Sequence, residues 1–165
     1  MIFEPEQTPL LVNLLEKLKE RGKKIVFANG CFDVIHLGHM KMLEEARGFG
    51  DVLVVAVNSD SSVTRLKGET RPVFPEGYRM EFLEMLSCVD FVVTFTEDDP
   101  ENLIRLLVPD VMVKAEDWKG KEVAGAKFVE ENGGRMVFLP LIGNYSSTNI
   151  IERIHDATRE GVKSA

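Results

Sequence analysis

Apolar residues follow two rhythms along this chain, and the rhythms alternate. Leu10, Leu11, Leu14, Leu15 and Leu18 recur at helical spacing between Thr8 and Glu20, and Gly22 ends that pattern. Residues 25–28 read as a short buried strand, Asn29-Gly30 as a turn, and residues 37–49 as a second helix. Residues 52–57 form a continuous apolar run, the kind buried on both faces of a parallel sheet. Residues 58–75 are polar and carry Gly and Pro, so they read as a long functional loop before a helix over 76–86. Further strands are expected at 91–93, 110–113 and 136–139, with helices at 99–107, 122–131 and 146–159. Strands alternating with helices of this length predict an α/β fold. The expected architecture is a Rossmann-like, doubly wound five-stranded parallel sheet with helices on both faces, plus an N-terminal helix. Residues 1–22 hold that helix, and residues 23–165 form one domain. In such sheets ligands bind beyond the carboxyl ends of the strands.

Composition narrows the picture. A chain of 165 residues with 44% hydrophobic content suits one compact core. The net charge of -7 repels nucleic acid, which argues against a DNA- or RNA-coating role. An anionic ligand would need a local positive patch against that background. The two cysteines, Cys31 and Cys88, lie far apart and form no CxxC pair, so free thiols are expected rather than a disulfide or a zinc site. Residues 1–6 lack the basic region and apolar run of a secretory signal, and the longest apolar stretch is strand-sized. A cytoplasmic protein with no membrane partner is expected.

The candidate chemistry sits after the first strand. Residues 27–39 run from strand through tight turn to helix start, where backbone N–H groups and a partial positive charge suit phosphate. Gly30 permits close backbone approach to a ligand, and Gly38 close packing of helix and nucleotide. His36 and His39, three apart, share one face of the first helical turn and can donate to charge developing on a transferring phosphoryl group. A zinc reading of this pair lacks a third ligand beyond Asp33 or Cys31.

The segment Asn29-Gly30-Cys31-Phe32-Asp33-Val34-Ile35-His36-Leu37-Gly38-His39 resembles the HxGH signature of the nucleotidyltransferase superfamily, which includes the cytidylyltransferases. Val57-Asn58-Ser59-Asp60, Arg65-Leu66-Lys67-Gly68, Arg71-Pro72, Arg79 and Val89-Asp90 follow in the order such enzymes show. Ser146-Ser147-Thr148-Asn149-Ile150-Ile151 is similar to the superfamily's second signature, a Ser/Thr-rich turn opening the last helix. Val123-Ala124-Gly125-Ala126-Lys127 with Asn132-Gly133-Gly134 resembles the adenylyltransferases that make ADP-heptose from D-glycero-β-D-manno-heptose 1-phosphate. Glu116-Asp117-Trp118-Lys119-Gly120-Lys121 is similar instead to glycerol-3-phosphate cytidylyltransferases, so CTP and a polyol phosphate stay open beside ATP and a sugar 1-phosphate. A nucleotide-binding domain without turnover is the alternative of another class, and the intact His36/His39 pair argues against it.

The resemblance implies ATP and a sugar phosphate as partners, with Mg²⁺ bridging phosphate oxygens and held mainly by nucleotide and water. It implies that His36, His39 and Lys67 are catalytic. Asn29, Gly30, Phe32, Gly38, Arg65, Arg79, Ser146, Ser147 and Thr148 would bind the nucleotide, and Asp33, Asn58, Lys114 and Asp117 the acceptor. Arg71 would help close the loop over the triphosphate. The resemblance suggests a homodimer. Glu97-Asp98-Asp99 reads as a solvated helix start outside the chemistry. Trp118 suits either core packing or a stacking surface for a base.

Overall fold

The computed structural model describes residues 1–140, 143 and 146–161. Among the described residues six strands all run parallel: β1 (Ile2–Phe3), β2 (Ile25–Gly30), β3 (Val52–Asn58), β4 (Phe91–Phe95), β5 (Val111–Ala115) and β6 (Arg135–Leu139), in the spatial order β1-β4-β3-β2-β5-β6. Six strands replace the five expected from sequence. The addition, β1, pairs Ile2 with Val92 and Phe3 with Val93 at the sheet edge, and two residues are too few to show a period.

Alternation along β2 and β3 builds two cores, because successive side chains leave opposite faces of a strand. Ile25, Phe27, Val54 and Ala56 pack with Leu11 and Leu15 of α1 (Thr8–Glu20), Leu103, Ile104 and Leu107 of α5 (Glu101–Leu107) and Val129 of α6 (Ala126–Glu131). Val26, Ala28, Leu53, Val55 and Val57 pack with Leu43 and Ala46 of α2 (Leu37–Arg47) and Met80 and Leu83 of α4 (Glu76–Glu84). Helices therefore cover both faces, and every residue of β3 is buried. The segment read from sequence as an N-terminal helix shares the first core through Leu11 and Leu15.

The region 58–75 is not one long loop. Ser59 caps α3 (Asp60–Lys67), its hydroxyl accepting from the Ser62 N–H, and Val63 is buried beneath the helix. A polar eight-residue helix offers too little apolar surface to betray its period. The expected helix over 122–131 shrinks to α6, which follows Gly125 at φ +80; a Cβ there would lie 2.6 Å from Ile104 Cδ1.

Topology locates the ligand edge. The chain winds β2, β3, β4 in one direction and then crosses to β5 on the other side of β2. Loops leaving β2 and β5 diverge, which opens a crevice at their carboxyl ends. The opposite edge is closed by aspartates: Asp51, Asp90 and Asp110 accept the N–H groups of Lys24, Leu53 and Ile25 at 2.9, 2.8 and 2.7 Å.

The sidedness of α1 can be checked directly. Leu15 is 1% exposed and Leu10 is 64% exposed. Leu15→Ala should cost about 2–5 kcal/mol in urea unfolding, whereas Leu10→Ala should stay within about 0.5 kcal/mol of the parent.

Candidate active site

The loop from Cys31 to His36 carries the chain from the end of β2 to the start of α2. Phe32 adopts a left-handed φ of 47°, and its ring turns inward to lie 3.3 Å from where a Gly30 side chain would begin. Gly30 thereby makes room for Phe32. The Phe32 ring meets His39 edge-on, with centroids 5.2 Å apart. His39 stacks in turn on His36, with centroids 3.8 Å apart and planes 23° from parallel. His36 is the N-cap of α2 and His39 lies in its first turn, so both imidazoles stand beside N–H groups that have no intrahelical partner.

A second helix start faces the first. The Ser147 hydroxyl opens α7 (Ser147–Gly161) and donates to the Val34 carbonyl at 3.0 Å, while Ser146 Oγ accepts from the Asn149 N–H. Two helix N-termini thus converge on one cavity of about 320 Å³. His36, His39, Asn29, Gly30, Phe32, Gly38, Lys67, Lys114, Asp117, Ser146, Ser147 and Thr148 all line it. Trp118 lines it too, from a 3-10 turn (Glu116–Trp118) that follows β5. A second cavity, of about 510 Å³, shares Asn29, Gly30, Lys67, Lys114 and Trp118 with the first and continues to Cys31, Asn58, Asp98, Asp99 and Glu122.

Electrostatics follow from burial. Burial pushes His39 down to about 3, with the nearby His36 and Lys67 charges adding to the effect, and burial also lowers His36. The imidazoles are neutral donors in the free protein at pH 7. Burial brings Lys114 down to about 8, against the opposing pull of Cys31 and Asp117. The Lys114 ammonium sits 4.7 Å from the centroid of the Trp118 ring, so the tryptophan braces that cation.

Four residues given site roles from the sequence, Arg79, Asp33, Arg71 and Arg65, do not line either of these two cavities. Arg79 is only 1% exposed, and its guanidinium is committed internally: it donates to the carbonyls of Phe74 (3.0 Å), Cys31 (2.6 Å) and Asn58 (2.8 Å) and to Asp60 (2.7 Å). It fastens the loop, and all of these partners are internal. Asp33, also buried, accepts from the N–H groups of Val73 (2.6 Å) and Phe74 (3.0 Å) and from Arg71, so its carboxylate is committed to the protein's own donors. Burial would raise its pKa, but the Phe74 N–H, Arg71 and the Val73 N–H together hold it below the usual carboxylate range. Arg71 is thereby paired with Asp33. Arg65 pairs with Asp98 at 2.7 Å and donates to the Thr96 carbonyl at 2.6 Å, on the rim of the second cavity. Asn58 is buried, binds Ser62 Oγ at 3.0 Å and lines the second cavity. Asp98 and Asp99, read as solvated from their sequence, line that cavity as well. Their position after β4, at the carboxyl edge, was the available signal.

The parallel α/β fold and a double helix-terminus cradle holding the HxGH histidines define a nucleotide-handling domain. Comparison gives the family. The cytidylyltransferase-like family matches residues 27–153, and the chain belongs to it, among the HxGH nucleotidyltransferases. The chain is 48% identical over 151 residues, 92% of its length, to "Bifunctional protein HldE" of Syntrophotalea carbinolica. It is 50% identical over 146 residues, 88% of its length, to the protein of that name in Actinobacillus succinogenes. Those matches span 31% of either relative's own length. A lipopolysaccharide core biosynthesis protein from Thermoplasma volcanium superposes with a TM-score of 0.60 at 30% identity, covering 76% of this chain and all of that one. Among the described residues, no helix is long and apolar enough to cross a membrane.

Arg79 offers a clean test of its place. Arg79→Met should lower stability by about 3–5 kcal/mol in urea unfolding, because three carbonyls and Asp60 lose their donor. A direct phosphate ligand would instead weaken nucleotide binding at unchanged stability.

Proposed function

We propose that the chain transfers AMP from ATP to a sugar 1-phosphate, D-glycero-β-D-manno-heptose 1-phosphate in our reading, giving ADP-heptose and pyrophosphate. The observation that carries this is the junction of the two cavities at Gly30, Lys67 and Lys114, beside the stacked histidines. A nucleotide in the first cavity and an acceptor phosphate in the second would meet at those lysines. The resemblance at residues 123–134 and a structural neighbour named for lipopolysaccharide core biosynthesis support a sugar acceptor.

The chemistry asks mainly for positioning and charge neutralisation. An acceptor phosphate is mostly dianionic near neutral pH, its second pKa being about 6. It attacks the α-phosphorus without a general base, and pyrophosphate leaves. His36 and His39 donate to the α- and β-phosphate oxygens. Ser147, Thr148 and the start of α7 take the departing pyrophosphate. Lys67 spans the junction, and Lys114 holds the acceptor phosphate. Among the described residues no group of three His, Cys, Asp or Glu side chains is placed to hold a metal. In our proposal Mg²⁺ would be held mainly by the nucleotide's own oxygens and water.

Asp117 and Trp118 on the first cavity favour a second reading, CTP with glycerol 3-phosphate, since their segment resembles that group of enzymes. Pyrophosphate release from ATP and CTP, each paired with heptose 1-phosphate and glycerol 3-phosphate, decides the matter. We expect the ATP–heptose pair to exceed the others. Release from no pair would point to a binding domain.

Lys114 supplies a pH test. With its pKa at about 8 it is charged below that pH and neutral above it. In the wild type, kcat/KM for the acceptor should fall about tenfold per pH unit above 8. Lys114→Arg, which stays charged, should remove that fall. Superimposable pH profiles would take Lys114 out of the acceptor site.

A further inference from the structure

The second cavity is polar in a directed way. Its inner end, shared with the nucleotide cavity, carries Lys67 and Lys114. Its remaining walls add three carboxylates, Asp98, Asp99 and Glu122. The protein uses and orients two of them. Arg65 Nε donates to Asp98 Oδ1 at 2.7 Å while its Nη2 anchors on the Thr96 carbonyl, and the Glu101 N–H donates to Asp99 Oδ1 at 3.0 Å. A carboxylate has about four acceptor positions on two oxygens, so one engaged oxygen leaves capacity for a ligand's donors. Among the described residues these carboxylates form no group of three placed to hold a metal ion. A second phosphate is disfavoured there by like charge. Neutral hydroxyls suit the carboxylates, because O–H groups donating to a carboxylate form strong, directional bonds.

We infer that this cavity reads the hydroxyl groups of a polyhydroxylated phosphate, with Asp98, Asp99 and Glu122 as its specificity-determining residues and Arg65 as the residue that positions Asp98. The inference rests on the adenylyl-transfer reading for which end of the ligand lies at the lysines. The phosphate faces Lys114 and the reacting nucleotide, and the hydroxyl-bearing end faces the carboxylates. A site built to bind hydroxyls discriminates against ligands that lack them far more strongly than an apolar pocket does. Arg65, assigned to the nucleotide from sequence, thereby acts at the acceptor end.

The test uses equilibrium binding as well as turnover. Trp118, the only tryptophan of the chain, lines the junction and reports occupancy by its fluorescence. The wild type, Asp98→Asn, Asp99→Asn, the double variant and Glu122→Gln are titrated with heptose 1-phosphate and with glycerol 3-phosphate, in the presence of a non-hydrolysable ATP analogue. Asn and Gln keep side-chain shape, and Asn at 99 can still accept from the Glu101 N–H, so the fold should hold; thermal midpoints verify this. Each Asp variant should weaken heptose 1-phosphate binding about 10- to 100-fold. Glycerol 3-phosphate, with fewer hydroxyls, should be affected less, and the affinity for the ATP analogue should stay within twofold. Arg65→Met should weaken heptose 1-phosphate binding by a smaller factor and leave the analogue's affinity unchanged.

An unchanged Kd for heptose 1-phosphate in the folded double variant, or no sugar phosphate binding to the wild type, would overturn the inference. The pyrophosphate assay is read separately. Turnover of the ATP–heptose pair with variants that bind normally sinks the inference and keeps the transfer reading. Binding lost in the variants of a protein that releases no pyrophosphate does the reverse.

Discussion

Two buried charges hold the HxGH loop, and each comes from the segment it fastens to the other. Arg79 reaches out of α4 to the carbonyls of Cys31 and Asn58, at the ends of β2 and β3. Asp33 reaches back from the loop to the N–H groups of Val73 and Phe74, just ahead of α4. A charge sealed from water is costly unless its donors or acceptors are met, and here they are met by backbone, by Asp60 and by Arg71. The loop between β2 and α2 has no ladder of its own, so these bonds substitute for one. They hold the segment in which Phe32 turns left-handed and braces His39, and through His39 the stacked His36. The geometry of the phosphate cradle is set from beneath.

The same sheet separates charge along its strands. Asp51, Asp90 and Asp110 cap backbone N–H groups at the amino ends, where carboxylates stabilise and cannot repel a ligand at the far edge. Lys67, Lys114 and two helix starts gather at the carboxyl edge. A chain of net charge -7 thus concentrates positive charge at one edge, where the lysines and helix starts offset its overall sign. Acidic residues approach that edge as well, Asp117 at the first cavity and Asp98, Asp99 and Glu122 at the second.

Much of this was legible in the residues. The unbroken apolar run of β3 announced a parallel sheet, and the glycine turn with paired histidines announced the cradle. The sequence could not show β1 or α3, since two residues have no period and a polar helix hides its own. It also misdirected the reading of Arg79 and Asp33. A charged residue beside a phosphate motif suggests a ligand contact, and only packing reveals that both side chains are sealed beneath the site. For Arg65, spacing could not show that its guanidinium pairs with Asp98 and the Thr96 carbonyl. Asp98 and Asp99 are exposed, as an acidic run before a helix suggests, and topology adds what the run alone does not show, that they also line a cavity.

Burial gives the two histidines a particular electrostatic character. Held neutral by desolvation, they do not repel Lys67 in the free protein, so cation and imidazoles can stand together without a ligand to separate them. A neutral imidazole still donates one hydrogen bond. A polyanion bound beside them would oppose the desolvation penalty and favour the protonated form, which has one more donor. The Phe32 ring, edge-on to His39, helps to keep that imidazole from water.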